Sequence, residues 1–78
     1  MKFLITMNMP SINGKAIHQV ILQPFYKFDN LEDFLELLLS RDFIMGEEFY
    51  YNKDTKEYES RKNIILNTQY IGKVKLLS

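Results

Sequence analysis

The chain has 78 residues, of which 46% are hydrophobic and 26% are charged, and its formal net charge is zero. That length accommodates one hydrophobic core, so we expect residues 1–78 to form a single small domain. The composition excludes wholesale disorder, and the absence of cysteine excludes disulfides, thiol catalysis and thiolate metal sites.

The apolar start of the chain lacks the pattern of an export signal. Its apolar run from Phe3 to Met7 is interrupted by Asn8, whereas a secretory signal needs about 7–15 apolar residues. Apolar runs elsewhere, such as residues 37–39, are far shorter than the roughly 20 residues of a membrane span. Together with the lack of cysteine, this predicts a cytoplasmic protein without a membrane segment.

The first two predicted elements are strands that form a hairpin. Residues 2–9 alternate with a period of two, which is typical of a strand. Residues 10–14 are rich in turn formers, and residues 16–23 have the composition of a second strand. Pro24 should end that strand because proline has no amide for the ladder.

One amphipathic helix is predicted within residues 28–43. Asn30 is a suitable N-cap, and Glu32 and Asp33 sit favourably in the first turn. Apolar residues recur at helical spacing as Leu31, Phe34, Leu35 and Leu38. The opposite side of the helix carries the carboxylates of Glu32, Asp33 and Glu36.

The remaining chain predicts three more strands. Residues 43–51 and 57–66 form a second hairpin around a turn at 52–56, and residues 70–77 form the last strand. The order β-β-α-β-β-β predicts an α+β fold, in which the helix buries its apolar stripe on one face of an antiparallel sheet. Isolated glycines at Gly46 and Gly72 indicate bulges or close backbone approach.

The sequence contains no recognisable catalytic motif. His18 is the single histidine, and we expect it to be a partly buried, hydrogen-bonded strand residue rather than the centre of a small enzyme. No nucleophile motif, phosphate loop or metal-binding spacing accompanies it, and the acidic residues lack the pattern of a calcium loop. We therefore expect no catalytic residue, no metal site and no cofactor.

The zero net charge conceals an uneven distribution. Residues 29–59 contain ten acidic and three basic residues, a net charge of −7, and the other residues carry +7. If this window stays together in space, it presents an acidic surface that attracts basic partners. Alternatively, the negative helix and the positive strands neutralise each other within the fold. The candidate residues of the acidic surface, with its flanking tyrosines, are Glu32, Asp33, Glu36, Glu47, Glu48, Tyr50 and Tyr51.

Two functions fit these observations. The first is a non-enzymatic protein-binding module, such as a phage-type accessory protein or inhibitor that docks on a host nucleic-acid-handling or defence complex. The second is a small nucleic-acid-binding domain that uses the basic terminal strands. Its candidate residues are Arg61, Lys62, Lys73 and Lys75, with Lys2 and Lys15 as further bases. Tyr58 or Tyr70 would stack on bases, although a core or cross-strand role is the alternative for both. An open edge strand could also make a homodimer.

Several short stretches resemble other proteins. They are Asn8-Met9-Pro10-Ser11, His18-Gln19-Val20, Glu47-Glu48-Phe49-Tyr50, Ile64-Ile65-Leu66-Asn67 and Tyr70-Ile71-Gly72-Lys73. Together they resemble small uncharacterised proteins of bacteria, prophages and phages. The resemblance implies no activity, cofactor or catalytic residue, and it favours an accessory protein that works by binding.

Overall fold

The computed structural model describes the backbone of residues 1–11 and 14–78 and the side chains of residues 1–8 and 18–78. Its elements follow the order β1, β2, α1, β3, β4 and β5, which confirms the predicted α+β fold. Their bounds are β1 Phe3–Ser11, β2 Gly14–Pro24, α1 Leu31–Ser40, β3 Phe43–Asn52, β4 Glu57–Asn67 and β5 Ile71–Leu76. Ile12 and Asn13, within the predicted turn at 10–14, lie outside the described residues.

The five strands form one antiparallel sheet in the order β4-β3-β2-β1-β5. Two hairpins, β1–β2 and β3–β4, lie side by side, but β3 pairs with β2 only over residues 21–24. A register shift in β4 beside Glu48 and Phe49 bends the second hairpin at this point. The distal half of each hairpin therefore extends beyond the region where the two hairpins pair.

Strand ends differ from the prediction for local reasons. The chain between β4 and β5 forms a 3₁₀ helix, Thr68–Tyr70, capped by the side chain of Asn67. The last strand consequently begins at Ile71 rather than at residue 70. The turn at 52–56 is confirmed: Asn52 Oδ1 accepts hydrogen bonds from the amides of Asp54 and Thr55 at 2.9 and 3.3 Å.

Both isolated glycines occupy the special positions that the sequence indicated. Gly46 lies opposite Pro24, where β2 and β3 approach closely. Gly72 lies in β5 at the register shift between β1 and β5, where Thr6 pairs with Lys73 and Met7 with Ile71. Gly46 is therefore a site of close approach and Gly72 is part of a bulge.

The core lies between the sheet and α1. Its fully buried side chains come from four elements: Phe3, Ile5, Met7, Leu22, Phe34 and Ile44. Phe34 of the helix stacks on Phe3 of the sheet, with ring centroids 4.1 Å apart, and Phe28 contacts both rings edge-on. Leu31, Leu37 and Leu38 complete the buried side of the helix. Leu35, which was predicted to belong to the apolar stripe, is exposed.

The start of α1 is fixed by a predicted cap. Asn30 Oδ1 accepts a hydrogen bond from the amide of Asp33 at 2.9 Å, and Asp33 Oδ2 accepts one from the amide of Asp29 at 3.3 Å. The first bond satisfies an amide that the first turn of a helix leaves unpaired, and the second ties the residue before the cap to that turn.

Replacing Asn30 with alanine should lower the free energy of unfolding by about 1 kcal/mol, because the amide of Asp33 loses its partner. Urea denaturation followed by circular dichroism measures the change. Asn30→Asp keeps a capping oxygen and should leave stability nearly unchanged. Equal stability of the alanine and aspartate variants would contradict the role of this cap.

A search of the described residues finds no helix with the length and apolarity needed to cross a membrane.

Candidate functional site

The sheet has one face covered by α1 and one face on which none of the described segments forms a covering layer, and we call the latter the open face. Directly paired residues of antiparallel strands point to the same side, so the register assigns each side chain to a face. From β4 to β5 the open face carries Tyr58, Ser60, Asn63, Ile65, Phe43, Met45, Glu47, Phe49, Tyr51, Gln19, Ile21, Gln23, Leu4, Thr6, Lys73 and Lys75.

One end of the open face is apolar. Phe25, Phe43, Met45 and Ile65, which we call the apolar corner, are 55%, 57%, 46% and 63% exposed. Met45 is the direct cross-strand partner of Ile65, and the Phe25 amide donates a hydrogen bond to the Met45 carbonyl at 3.1 Å. Phe43 lies two residues before Met45 on the same strand and therefore shares its face. β3, β4 and the segment that directly follows β2 thus present large apolar side chains to solvent at one place.

The distal part of the open face combines aromatic rings with lysines. Tyr51 and Tyr58 are cross-strand partners whose ring centroids lie 5.2 Å apart in an edge-to-face arrangement. The Nζ atom of Lys2 lies 4.8 Å from the ring centroid of Phe49 and 5.9 Å from that of Tyr58. These distances are typical of cation–π contacts. Lys73 and Lys75 add positive charge on β5, which is separated from β3 by two strands.

The predicted acidic surface is divided between the two layers of the fold. Glu32, Asp33 and Glu36 belong to α1. Glu47 lies on the open face beside Gln23, whereas Glu48 faces the helix side, opposite Leu22 and Lys62. The flanking tyrosines are divided in the same way: Tyr51 lies on the open face and Tyr50 on the helix side. Strand alternation is the reason, since Glu47-Glu48 and Tyr50-Tyr51 are neighbours in sequence.

The candidate nucleic-acid residues are divided as well. Lys73 and Lys75 point to the open face. Lys62 lies opposite Glu48 on the helix side, and the Arg61 guanidinium lies 5.9 Å from the ring of Tyr50 on that same side. Tyr58 is exposed, but Tyr70 packs against the core and is not free to stack.

His18 is exposed, so the prediction of a partly buried side chain is wrong. It lies on the helix side of the sheet, opposite Met7. However, β3 pairs with β2 only from Ile21 to Pro24. The part of β2 that carries His18 therefore lacks a neighbouring strand on that side, and its side chain remains in solvent.

A polar cluster on the helix side of the second hairpin joins Tyr50, Asn52 and Glu59. The Tyr50 hydroxyl donates a hydrogen bond to the Glu59 carboxylate, and Asn52 Nδ2 donates another at 3.3 Å. These bonds hold the pKa of Glu59 below its ordinary value. The same hydrogen bond and the charge of Glu59 raise the pKa of Tyr50. These hydrogen bonds join β3 and β4 through their side chains, in addition to the backbone pairing of Tyr50 with Glu59.

Tyr50→Phe should raise the pKa of Glu59 back toward its ordinary value, because the carboxylate loses its main donor. A depressed carboxyl pKa adds stability above the unfolded pKa, and this stability is lost as the pH falls through the folded value. The free energy of unfolding should therefore rise more for wild type than for the variant as the pH increases from acidic to neutral. Carboxyl chemical shifts measured by NMR titration report this directly, with Tyr51→Phe on the opposite face as the control. Coincident Glu59 titration curves in wild type and Tyr50→Phe would refute the assignment.

One open depression lies between the side of α1 and the segment that precedes the helix. It is lined by Tyr26, Lys27, Phe28, Asp33, Glu36, Leu37 and Ser40. Among the described residues, no three histidine or acidic side chains are grouped as a metal ion would require.

Sequence reasoning missed the apolar corner. The region around Phe43 and Met45 has apolar residues at both odd and even positions, as does the run Ile64-Ile65-Leu66. A strand of this kind is apolar on both faces. A single ten-residue helix covers only one face of a five-stranded sheet, so the surplus apolar residues had to remain exposed. That imbalance was the signal available in the sequence.

No protein-family model, curated protein or solved structure matches this chain.

Proposed function

We propose that this protein is a non-enzymatic protein-binding module that contacts its partner through the open face. The observation that supports this proposal is the apolar corner, where Phe25, Phe43, Met45 and Ile65 are all about half exposed or more. The solvated face of an antiparallel sheet normally carries polar side chains. Contiguous exposed apolar residues on a small protein mark interaction sites.

The charges of the same face define the partner further. Lys73 and Lys75 lie on β5, at the edge of the face opposite to the apolar corner, and Lys2 lies just before β1. Glu47 is engaged by a hydrogen bond from the Ser60 hydroxyl. Exposed lysines steer association and favour an acidic partner. We therefore propose a partner protein whose surface combines an apolar patch with a neighbouring acidic region.

Quantitative affinity capture from the native host tests this surface by comparing matched variants. Met45→Lys should abolish capture of any specific partner, because it places a charge within the apolar corner. Leu39→Lys is the control, since Leu39 is 90% exposed on the helix layer and belongs to a different surface. Proteins retained by wild type and by Leu39→Lys but lost by Met45→Lys would support the proposal. Equal capture by Met45→Lys and wild type would overturn it.

The acidic helix provides a second control. The pair Glu32→Lys and Glu36→Lys reverses two exposed carboxylates of α1 without touching the open face. We expect this double variant to capture the partner as wild type does. If it loses the partner while Met45→Lys keeps it, the interface is the acidic helix instead. We further propose that the module is a cytoplasmic accessory protein or inhibitor of a nucleic-acid-handling complex, and the identity of the captured proteins tests this.

A second candidate function, binding of single-stranded nucleic acid, is favoured by one observation. Exposed Tyr51 and Tyr58 share the open face with Lys2, Lys73 and Lys75. Sites that bind single-stranded nucleic acid usually combine a basic groove with aromatic rings that stack on the bases.

Fluorescence anisotropy with a labelled oligothymidine at low ionic strength tests this function. The double variant Lys73→Glu and Lys75→Glu should abolish binding, because the salt-dependent phosphate contacts dominate the affinity. Arg61→Glu with Lys62→Glu makes the same charge change on the helix side and should have a much smaller effect. Absence of binding by wild type would eliminate this function and leave the protein-binding proposal unaffected.

A further inference from the structure

The outer edge of β4 is free. β4 is the terminal strand of the sheet and pairs only with β3. Within the described chain, no backbone hydrogen bond from another segment reaches β4 between Glu57 and Leu66. A free edge offers a row of unpaired amides and carbonyls on which another strand can add.

The two halves of this edge differ in chemistry. Residues 57–62 carry four charged side chains and a bulge at Arg61, which lies between the pairs Glu48–Lys62 and Phe49–Ser60. Charges and bulges are the features with which natural sheets block edge pairing. Residues 63–67 have neither feature. Their sequence is Asn-Ile-Ile-Leu-Asn, and Ile65 at its centre is 63% exposed.

The unprotected half is nearly symmetric about Ile65. When two copies of residues 63–67 are placed antiparallel about a two-fold axis at Ile65, asparagine lies opposite asparagine. Ile64 likewise lies opposite Leu66. Such self-complementarity is what an isologous dimer interface requires, since the same patch must fit itself. An unrelated peptide would not need this symmetry.

The paired segment is free of charge repulsion. Residues 63–67 carry no charged side chain, so no like charges meet within the segment when two copies pair in this register.

We propose that a second copy of this chain docks on residues 63–67 of β4, forming one continuous antiparallel sheet with a two-fold axis at Ile65. The pairing joins the two apolar corners edge to edge, because Ile65 lies beside Met45 on the open face. It leaves the open faces of both copies uncovered and on the same side. The dimer therefore goes beyond the proposed function and doubles the surface available to its partner.

Sedimentation equilibrium of the full chain over a range of concentrations tests the dimer. Wild type should shift from monomer to dimer mass, whereas Ile65→Lys should stay monomeric because two lysines would meet at the axis. Met45→Lys is the matched control. It introduces the same charge on β3, one strand away from the free edge, and this variant should still dimerise. A wild-type protein that stays monomeric, or an Ile65→Lys variant that dimerises like wild type, would overturn the proposal.

Mixing two variants tests the position of the axis. Ile65→Lys and Ile65→Glu should each be monomeric alone, and an equimolar mixture should regain dimer mass because opposite charges then face each other. Failure of the mixture to dimerise would refute pairing at Ile65. The proposed function is tested separately, by partner capture with Met45→Lys. A negative result for the dimer therefore leaves the partner surface untouched, and the reverse also holds.

Discussion

Replacing Phe34 with alanine should lower the free energy of unfolding by about 3–5 kcal/mol, the largest loss that we expect from a single side chain. Phe34 is fully buried and is the helix residue at the centre of the core. Its ring stacks on Phe3 at 4.1 Å and meets Phe28 edge-on at 5.2 Å. Removal of the ring therefore leaves a cavity between the helix and the sheet.

This loss is large in relation to the whole domain. Stabilities of about 0.05–0.15 kcal/mol per residue give roughly 4–12 kcal/mol for a chain of this length, so the substitution should remove roughly a quarter to all of the domain's stability. Urea denaturation followed by circular dichroism measures the change. Leu39→Ala on the same helix is the control, because Leu39 is almost fully exposed. It should change stability by less than about 0.5 kcal/mol. Similar urea midpoints for Phe34→Ala and Leu39→Ala would show that the helix does not pack on the sheet through Phe34.

Gly46→Ala should lower the free energy of unfolding by about 1–3 kcal/mol or more, through overpacking rather than a cavity. A Cβ atom at this position would lie 2.6 Å from the Gln23 carbonyl oxygen, 2.7 Å from Leu22 Cδ1 and 2.9 Å from Pro24 Cα. Two of these three atoms belong to the backbone, so relief requires β2 and β3 to move apart where their pairing is short.

Gly72→Ala is the matched control for this prediction. There the nearest atom to an added Cβ is the Thr6 carbonyl oxygen at 3.6 Å, which is an ordinary contact distance. We expect this variant to be as stable as wild type within about 0.5 kcal/mol. Thermal or urea unfolding compares the two alanine variants, and an equal loss at both positions would contradict the close approach at Gly46.

The sequence was sufficient to predict the order of elements because its local signals agree. Alternation defines β1, Asn30 and the leucine spacing define α1, and the polar run after Asn52 defines the second turn. Pro24 also ends β2 as expected. The 3₁₀ helix at Thr68–Tyr70 was not predicted, because a single turn of this kind has no periodicity to detect.

The candidate surface was harder to predict, because it depends on the strand register and on which faces of the sheet are covered by another layer. Glu47 and Glu48 were assigned to one acidic surface because they are neighbours in sequence. They lie on opposite faces of the sheet, because side chains alternate along a strand. Conversely, Phe25, Phe43 and Ile65 are far apart in sequence and come together only because β2, β3 and β4 are neighbours. His18 is exposed for a related reason, since β3 does not pair with its end of β2.

The central claim, that the open face is the interaction surface, is tested most directly by methionine oxidation. Met45 is 46% exposed on the open face, whereas Met7 is buried in the core. Dilute hydrogen peroxide followed by peptide mass spectrometry should therefore oxidise Met45 much faster than Met7 in the free protein, because oxidation follows exposure. Binding of the captured partner should slow the oxidation of Met45 strongly. An unchanged Met45 oxidation rate in the complex would show that the partner binds elsewhere and would contradict the claim.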